Sequence, residues 1–75
     1  MPKSSSHPLL RKLGRRIKEL RSDRKWSQEE LAAKCGIDRS YMSGIERGVR
    51  NITLLRLLKI AEALGTSMQR MLDFS

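Results

Sequence analysis

The side chains best suited to binding chemistry lie in one short stretch, residues 38–47, Asp-Arg-Ser-Tyr-Met-Ser-Gly-Ile-Glu-Arg. Met42 and Ile45 are three residues apart, a spacing that predicts the buried face of a helix. The residues left for the outer face are short, polar or basic, namely Arg39, Ser40, Ser43, Gly44 and Arg47. Guanidinium and hydroxyl groups donate to phosphate oxygens and base edges, and the major groove of DNA admits a helix. The stretch therefore has the composition of a helix that reads double-stranded DNA.

Catalytic, redox and metal chemistry have little support in the sequence. The 75 residues form one small domain, too short for an enzyme with its own deep cleft. A single cysteine, Cys35, excludes an intramolecular disulfide, and we expect it to pack in the core; the single histidine, His7, is expected to be inert. No acid, base and nucleophile are paired in a catalytic pattern. We therefore expect a protein that is not an enzyme and has no metal site and no cofactor.

The net charge of +8 is unevenly distributed along the chain. Residues 1–25 contain nine basic and two acidic side chains, whereas residues 26–50 contain four of each. The excess indicates an anionic partner, and its position predicts long-range attraction more than sequence selection. A basic membrane-surface segment over residues 9–25 is an alternative. Since no long apolar run or signal peptide is evident, we expect a soluble cytoplasmic protein.

Helix signals elsewhere define the scaffold for residues 38–47. Ser27 and Glu30 form a capping box at the start of a helix that Gly36 ends, and Trp26 is positioned to act as a hydrophobic staple. Asp38 is expected to cap the next helix, and Gly48 to end it. Two short helices with a turn of about three residues constitute a helix-turn-helix. We place this motif at residues 28–47.

The remaining segments complete an all-α, compact five-helix bundle. Residues 1–8 are expected to form a flexible arm, and residues 9–75 the domain. A first helix from Leu9 to about Arg24 precedes the motif, and C-terminal helices follow at 53–64 and 67–73. The apolar spacing predicts two core faces: Leu10, Leu13, Ile17 and Leu20 in the first helix, and Leu54, Leu57, Leu58, Ala61 and Leu64 in the fourth.

Several ordered motifs resemble the phage-repressor and Cro-like (Xre) DNA-binding domains. They are Leu13-Gly14, Ile17-Lys18-Glu19-Leu20-Arg21, Ser27-Gln28-Glu29-Glu30-Leu31-Ala32, Ile45-Glu46-Arg47-Gly48 and Ile60-Ala61-Glu62-Ala63-Leu64-Gly65. The resemblance covers about residues 13–72 and implies a lambda-repressor-like fold. Within the family, residues 38–47 with Arg50-Asn51 are most similar to controller proteins of restriction-modification systems.

The resemblance also implies individual roles. Arg39 and Ser40 match positions that read bases, and Gln28 matches one that binds phosphate and braces the recognition helix. Gly44 departs from family members with a long polar side chain there, and Arg50 is a candidate to compensate for it. The full DNA-binding set is Gln28, Arg39, Ser40, Tyr41, Ser43, Arg47, Arg50 and Asn51. Arg21 and Glu46 match a structural ion pair that bridges the first and third helices.

The family also dimerises through its last helices. The residues expected at this homodimer interface are Leu55, Met68, Met71 and Phe74. A dimer would place two recognition helices about 34 Å apart, matching an inverted-repeat operator, and would recruit or block RNA polymerase. An antitoxin of a toxin-antitoxin pair is the alternative function. It is less favoured, because the chain ends about where the fifth helix ends and offers no disordered tail to grip a toxin.

Overall fold

A computed structural model describes residues 7–73 and contains five α-helices in that range. They are α1 (Pro8–Asp23), α2 (Gln28–Cys35), α3 (Arg39–Arg47), α4 (Leu54–Ala63) and α5 (Met68–Met71). The described residues include no strand, so the predicted all-α fold is confirmed. None of the helices is long and apolar enough to cross a membrane.

Local caps set the ends of the two motif helices as the sequence predicts. The Ser27 hydroxyl accepts from the Glu30 amide at 3.0 Å, and the Ser27 amide donates to the Glu30 carboxylate at 2.6 Å. Gly36 and Gly48 follow α2 and α3 with φ angles of 66° and 77°, in the left-handed region where a side chain is disfavoured. The turn between the two helices is therefore set by local chemistry.

The first helix begins earlier than expected. Pro8 is its first residue, and the His7 ring nitrogen Nδ1 accepts from the Leu9 amide at 3.0 Å. Proline suits this position because the first amides of a helix have no internal partner. Pro8 therefore does not belong to the arm expected at residues 1–8, and His7 caps the helix. Residues 1–6 lie outside the described range.

The core joins all five helices and holds α3 tightly against α1. Ile17, Leu31, Met42, Ile60 and Met71 are its largest fully buried side chains. At Gly14 in α1, an added Cβ would lie 2.4 Å from the carbonyl oxygen of Ile45 in α3. Because any side chain at position 14 would overlap this backbone, the close approach of the two helices depends on glycine.

Two sequence expectations about the C-terminal helices are wrong. Leu54 and Leu58 were expected in the core, but they are 70% and 39% exposed, while Ile60 is buried. The apolar spacing in α4 fits more than one face, and packing selects the face of Leu57 and Ile60. Met71 was expected at a dimer interface, yet it is completely buried against the core, so it is not available to a partner. Phe74 lies outside the described residues.

Candidate nucleic-acid interface

The inner face of α3 is anchored by an ion pair. The Arg21 guanidinium on α1 donates to both carboxylate oxygens of Glu46, from Nε at 2.8 Å and from a terminal nitrogen at 3.0 Å. Its other terminal nitrogen donates to the Trp26 carbonyl at 2.7 Å. The hydrogen bonds to the Glu46 carboxylate and its charge raise the pKa of Arg21 despite burial. This is the pair that the family resemblance implied.

Gln28 extends this anchor to α2. Its side-chain amide nitrogen donates to Glu46 at 3.0 Å, so Glu46 is bonded to groups from both neighbouring helices. The Glu46 side chain is only 3% exposed. The orientation of α3 therefore depends on the buried, hydrogen-bonded carboxylate of Glu46 and not on apolar packing alone.

The outer face of α3 carries the expected polar residues. Arg39, Ser43 and Arg47 follow one another at intervals of four residues, which places them along one side of the helix. Arg39, Ser40 and Arg47 are exposed, and Ser43 is half-buried. This side of the helix is thus open to a partner.

The start of α3 is fixed by Asp38. Its carboxylate accepts from the Ser40 amide at 2.9 Å and from the Ser40 hydroxyl. These hydrogen bonds lower the pKa of Asp38 below its usual range, so the cap is charged at neutral pH. The Ser40 hydroxyl donates to the cap, which leaves its oxygen as an acceptor for an outside group.

Arg39 forms a loose ion pair with Glu29 of α2. Its Nε lies 3.7 Å from a Glu29 carboxylate oxygen, and both side chains are well exposed. Exposed pairs of this kind contribute about 0–1 kcal/mol. The guanidinium can therefore leave Glu29 for a stronger acceptor.

A second cluster of basic side chains lies around Tyr41, in the first turn of α3. The Tyr41 hydroxyl donates to the Asn51 carbonyl at 3.1 Å, while the guanidinium carbons of Arg50 and Arg56 lie 5.5 and 4.8 Å from the Tyr41 ring centre. These are cation–π distances. Tyr41, Arg50 and Asn51 are thus brought together as a cluster, and Arg56 of α4 joins them.

Sequence reasoning did not single out Arg56. It lies fifteen residues from Tyr41, on a helix that was predicted from its apolar spacing alone. The available signal was its position in the first turn of α4, directly after the loop that contains Arg50. Only the packing of α4 shows that its side chain reaches the Tyr41 ring.

Other reactive groups do not form a site in the described range. Cys35 is buried in the core, and this burial raises the pKa of its thiol despite the nearby charge of Lys59. Within residues 7–73, no group of three or more His, Cys, Asp or Glu side chains is placed to hold a metal ion. The polar chemistry of the domain is therefore concentrated around α3.

Comparison with known proteins identifies the domain. A family model described as helix-turn-helix matches residues 17–71. The chain belongs to the Xre-like helix-turn-helix family. The members of this family are transcriptional regulators that bind DNA.

Several relatives of this helix-turn-helix chain are control proteins. The control protein C.BamHI of Bacillus amyloliquefaciens is 43% identical over 63 residues, covering 83% of this chain and 78% of its own length. The crystal structure of the restriction-modification controller protein C.AhdI from Aeromonas hydrophila superposes with a TM-score of 0.85 at 45% identity, covering 87% of this chain and 98% of C.AhdI.

A third structure contains DNA. It shows a tetramer of the restriction-modification controller protein C.Esp1396I in complex with its natural 35 base-pair operator. Its chain superposes with a TM-score of 0.79 at 40% identity, covering 88% of this chain and 91% of its own. The same helical framework thus binds an operator in a relative.

Proposed function

We propose that this chain is a transcriptional regulator that binds a specific double-stranded DNA sequence as a homodimer, in the manner of a restriction-modification controller. The observation that carries the proposal is the division of α3 into two faces. Glu46 holds the inner face to α1 and α2, while the outer face exposes Arg39 and Arg47 along one side. A rigid helix with an open basic face suits the major groove.

The proposed contacts divide into base readers and backbone contacts. Arg39 and Ser40, at the start of α3, are proposed to reach base edges, because a guanidinium can bind guanine O6 and N7 together. The other predicted DNA-binding residues are proposed to contact phosphate, sugar or groove edges. They are Gln28, Tyr41, Ser43, Arg47, Arg50 and Asn51. Arg56 is added as a phosphate contact because it lies beside Arg50 on the Tyr41 ring.

We propose that the dimer interface lies on the exposed apolar surface of α4, with Met68 beside it. Leu54 and Leu55 are 70% and 75% exposed, and Leu58 lies one turn after Leu54. Three leucines on one short exposed face form a patch that a second copy would cover. Phe74 remains a proposed member outside the described residues.

The cellular role follows from this binding. A dimer on an inverted repeat near a promoter would recruit or block RNA polymerase, and it would act in the cytoplasm, where bacterial DNA lies. The proposed activity is binding alone, without catalysis or a cofactor. The relatedness to control proteins supports a regulated restriction-modification operon as the target.

Selection from a random pool of DNA duplexes tests the proposal. We expect enrichment of one palindromic consensus, and a dimer mass for the protein in solution. Leu55→Glu should convert the dimer to a monomer and weaken binding to the consensus, whereas Leu9→Glu, at an exposed leucine on α1, should leave both unchanged. Failure to enrich any consensus would contradict sequence-specific binding, and a wild-type monomer would contradict the dimer.

A further inference from the structure

The second turn of α3 has a gap in its side-chain surface, and a residue from outside the helix fills it. Gly44 lies in this turn and is buried. A Cβ placed there would lie 2.6 Å from Cγ and 3.4 Å from Nε of Arg50, which belongs to the loop after α3. The stem of Arg50 therefore occupies the space in which a side chain at position 44 would begin.

The other end of Arg50 is held by Tyr41. The guanidinium carbon lies 5.5 Å from the centre of the Tyr41 ring. The Tyr41 hydroxyl donates to the carbonyl of Asn51, the residue that follows Arg50. Both the backbone of this loop and the Arg50 side chain are thus tied to α3.

The Arg50 guanidinium keeps its hydrogen-bonding capacity. Among residues 7–73, the ion pairs involve other arginines, and the side-chain hydrogen bonds include none from Arg50. An arginine has five N–H donors, and a cation–π contact uses none of them in a hydrogen bond. The side chain is therefore positioned, and within residues 7–73 its donors have no hydrogen-bond partner, so they are available to an anionic or carbonyl acceptor.

We infer that Gly44 is a positioning residue for DNA binding: its missing side chain sets the pose of Arg50, which supplies the DNA contact that the second turn of α3 lacks at position 44. This inference rests on the proposed function. Gly44 itself need not touch DNA. The acceptors are phosphate oxygens, or oxygen and nitrogen atoms on the base edges, and either kind of group offers a guanidinium two neighbouring acceptors.

A double-mutant cycle tests the inference. Wild type, Gly44→Ala, Arg50→Ala and the double variant are titrated with the consensus duplex that the wild-type protein selects, and with a scrambled duplex of equal length. Each single variant should bind the consensus about ten- to a hundredfold more weakly. In the Arg50→Ala background, Gly44→Ala should change binding by no more than about twofold, the usual error of additivity. A loss confined to the consensus assigns Arg50 to a base, and an equal loss on both duplexes assigns it to phosphate.

In the binding cycle, wild-type affinity of Gly44→Ala would overturn the inference, and so would an equal loss from this substitution with and without Arg50. Unfolding of all four proteins is followed in parallel; alanine forms helix better than glycine, so α3 should not loosen. In free wild type, nuclear Overhauser contacts are expected between the Gly44 Hα and Arg50 Hγ protons, and their absence would refute the geometry. Because this readout contains no DNA, it separates failure of the inference from failure of the proposed function.

Discussion

The helix α3 takes part in two ion pairs that differ in almost every physical respect. Arg21 and Glu46 meet through two hydrogen bonds, with side chains that are 12% and 3% exposed. Arg39 and Glu29 approach only to 3.7 Å, and their side chains are 65% and 73% exposed. The first pair lies on the inner face of the helix and the second at its outer, N-terminal end.

The difference shows how burial decides the use of a charge. A buried carboxylate is fully desolvated, so removing its partner leaves an uncompensated charge. An exposed pair is screened by water and salt, so its members exchange partners at little cost. One helix can therefore be rigidly held on one side and free to bind on the other.

The largest effect is expected from breaking the buried pair. Glu46→Ala should lower the free energy of unfolding by about 3–5 kcal/mol, because it leaves the Arg21 charge buried without its carboxylate. Glu29→Ala, which breaks the exposed pair, should change it by no more than about 1 kcal/mol. Urea unfolding measures both. Equal effects of the two substitutions would contradict the distinction drawn between the pairs.

Arg39→Ala should weaken DNA binding without changing the stability of the fold. Binding to the selected consensus duplex should weaken by about 1–3 kcal/mol, since one bidentate base contact is lost, while unfolding stays unchanged. Lys18→Ala, an equal change of charge on the exposed side of α1, serves as the control and should spare specificity. An equal loss on consensus and random DNA would exclude base reading by Arg39.

The phosphate contact proposed for Arg56, beside Tyr41, is tested by the salt dependence of DNA binding. Arg56→Gln should reduce the slope of log affinity against log salt by about 0.9, the value for one lost phosphate contact. Lys59→Gln removes the same charge from the same helix and should leave the slope close to that of wild type. A matching decrease for both variants would mean that charge alone, and not the position of Arg56, is responsible.

The smallest effect is expected at Glu29. Glu29→Gln should tighten DNA binding by about 0.2–1 kcal/mol, because it removes the competitor for Arg39 and a negative charge near the phosphates. Titration at low and high salt should show the gain shrinking as salt rises. Weaker binding would instead show that Glu29 orients Arg39 for its contact.

Local features of this domain were readable from the sequence. The Ser27 capping box and the stops at Gly36 and Gly48 involve residues a few positions apart, so their chemistry does not depend on distant packing. The buried face of α4 was harder to predict, because the run Leu54-Leu55-Arg56-Leu57-Leu58 fits more than one apolar stripe. The contacts assigned to DNA remain predictions.

By itself, the sequence determined five helices, the caps of the two motif helices and the polar character of the outer face of α3, because turns and helix ends are set over three or four residues. Only the tertiary structure decided that Met71 is core, that Leu54 faces outward, and that Arg56 reaches Tyr41. Burial and charge pairing arise between helices far apart in the chain, so they depend on how the helices pack. The structure also shows Arg50 over Gly44, where a residue without a side chain leaves room for one from the following loop.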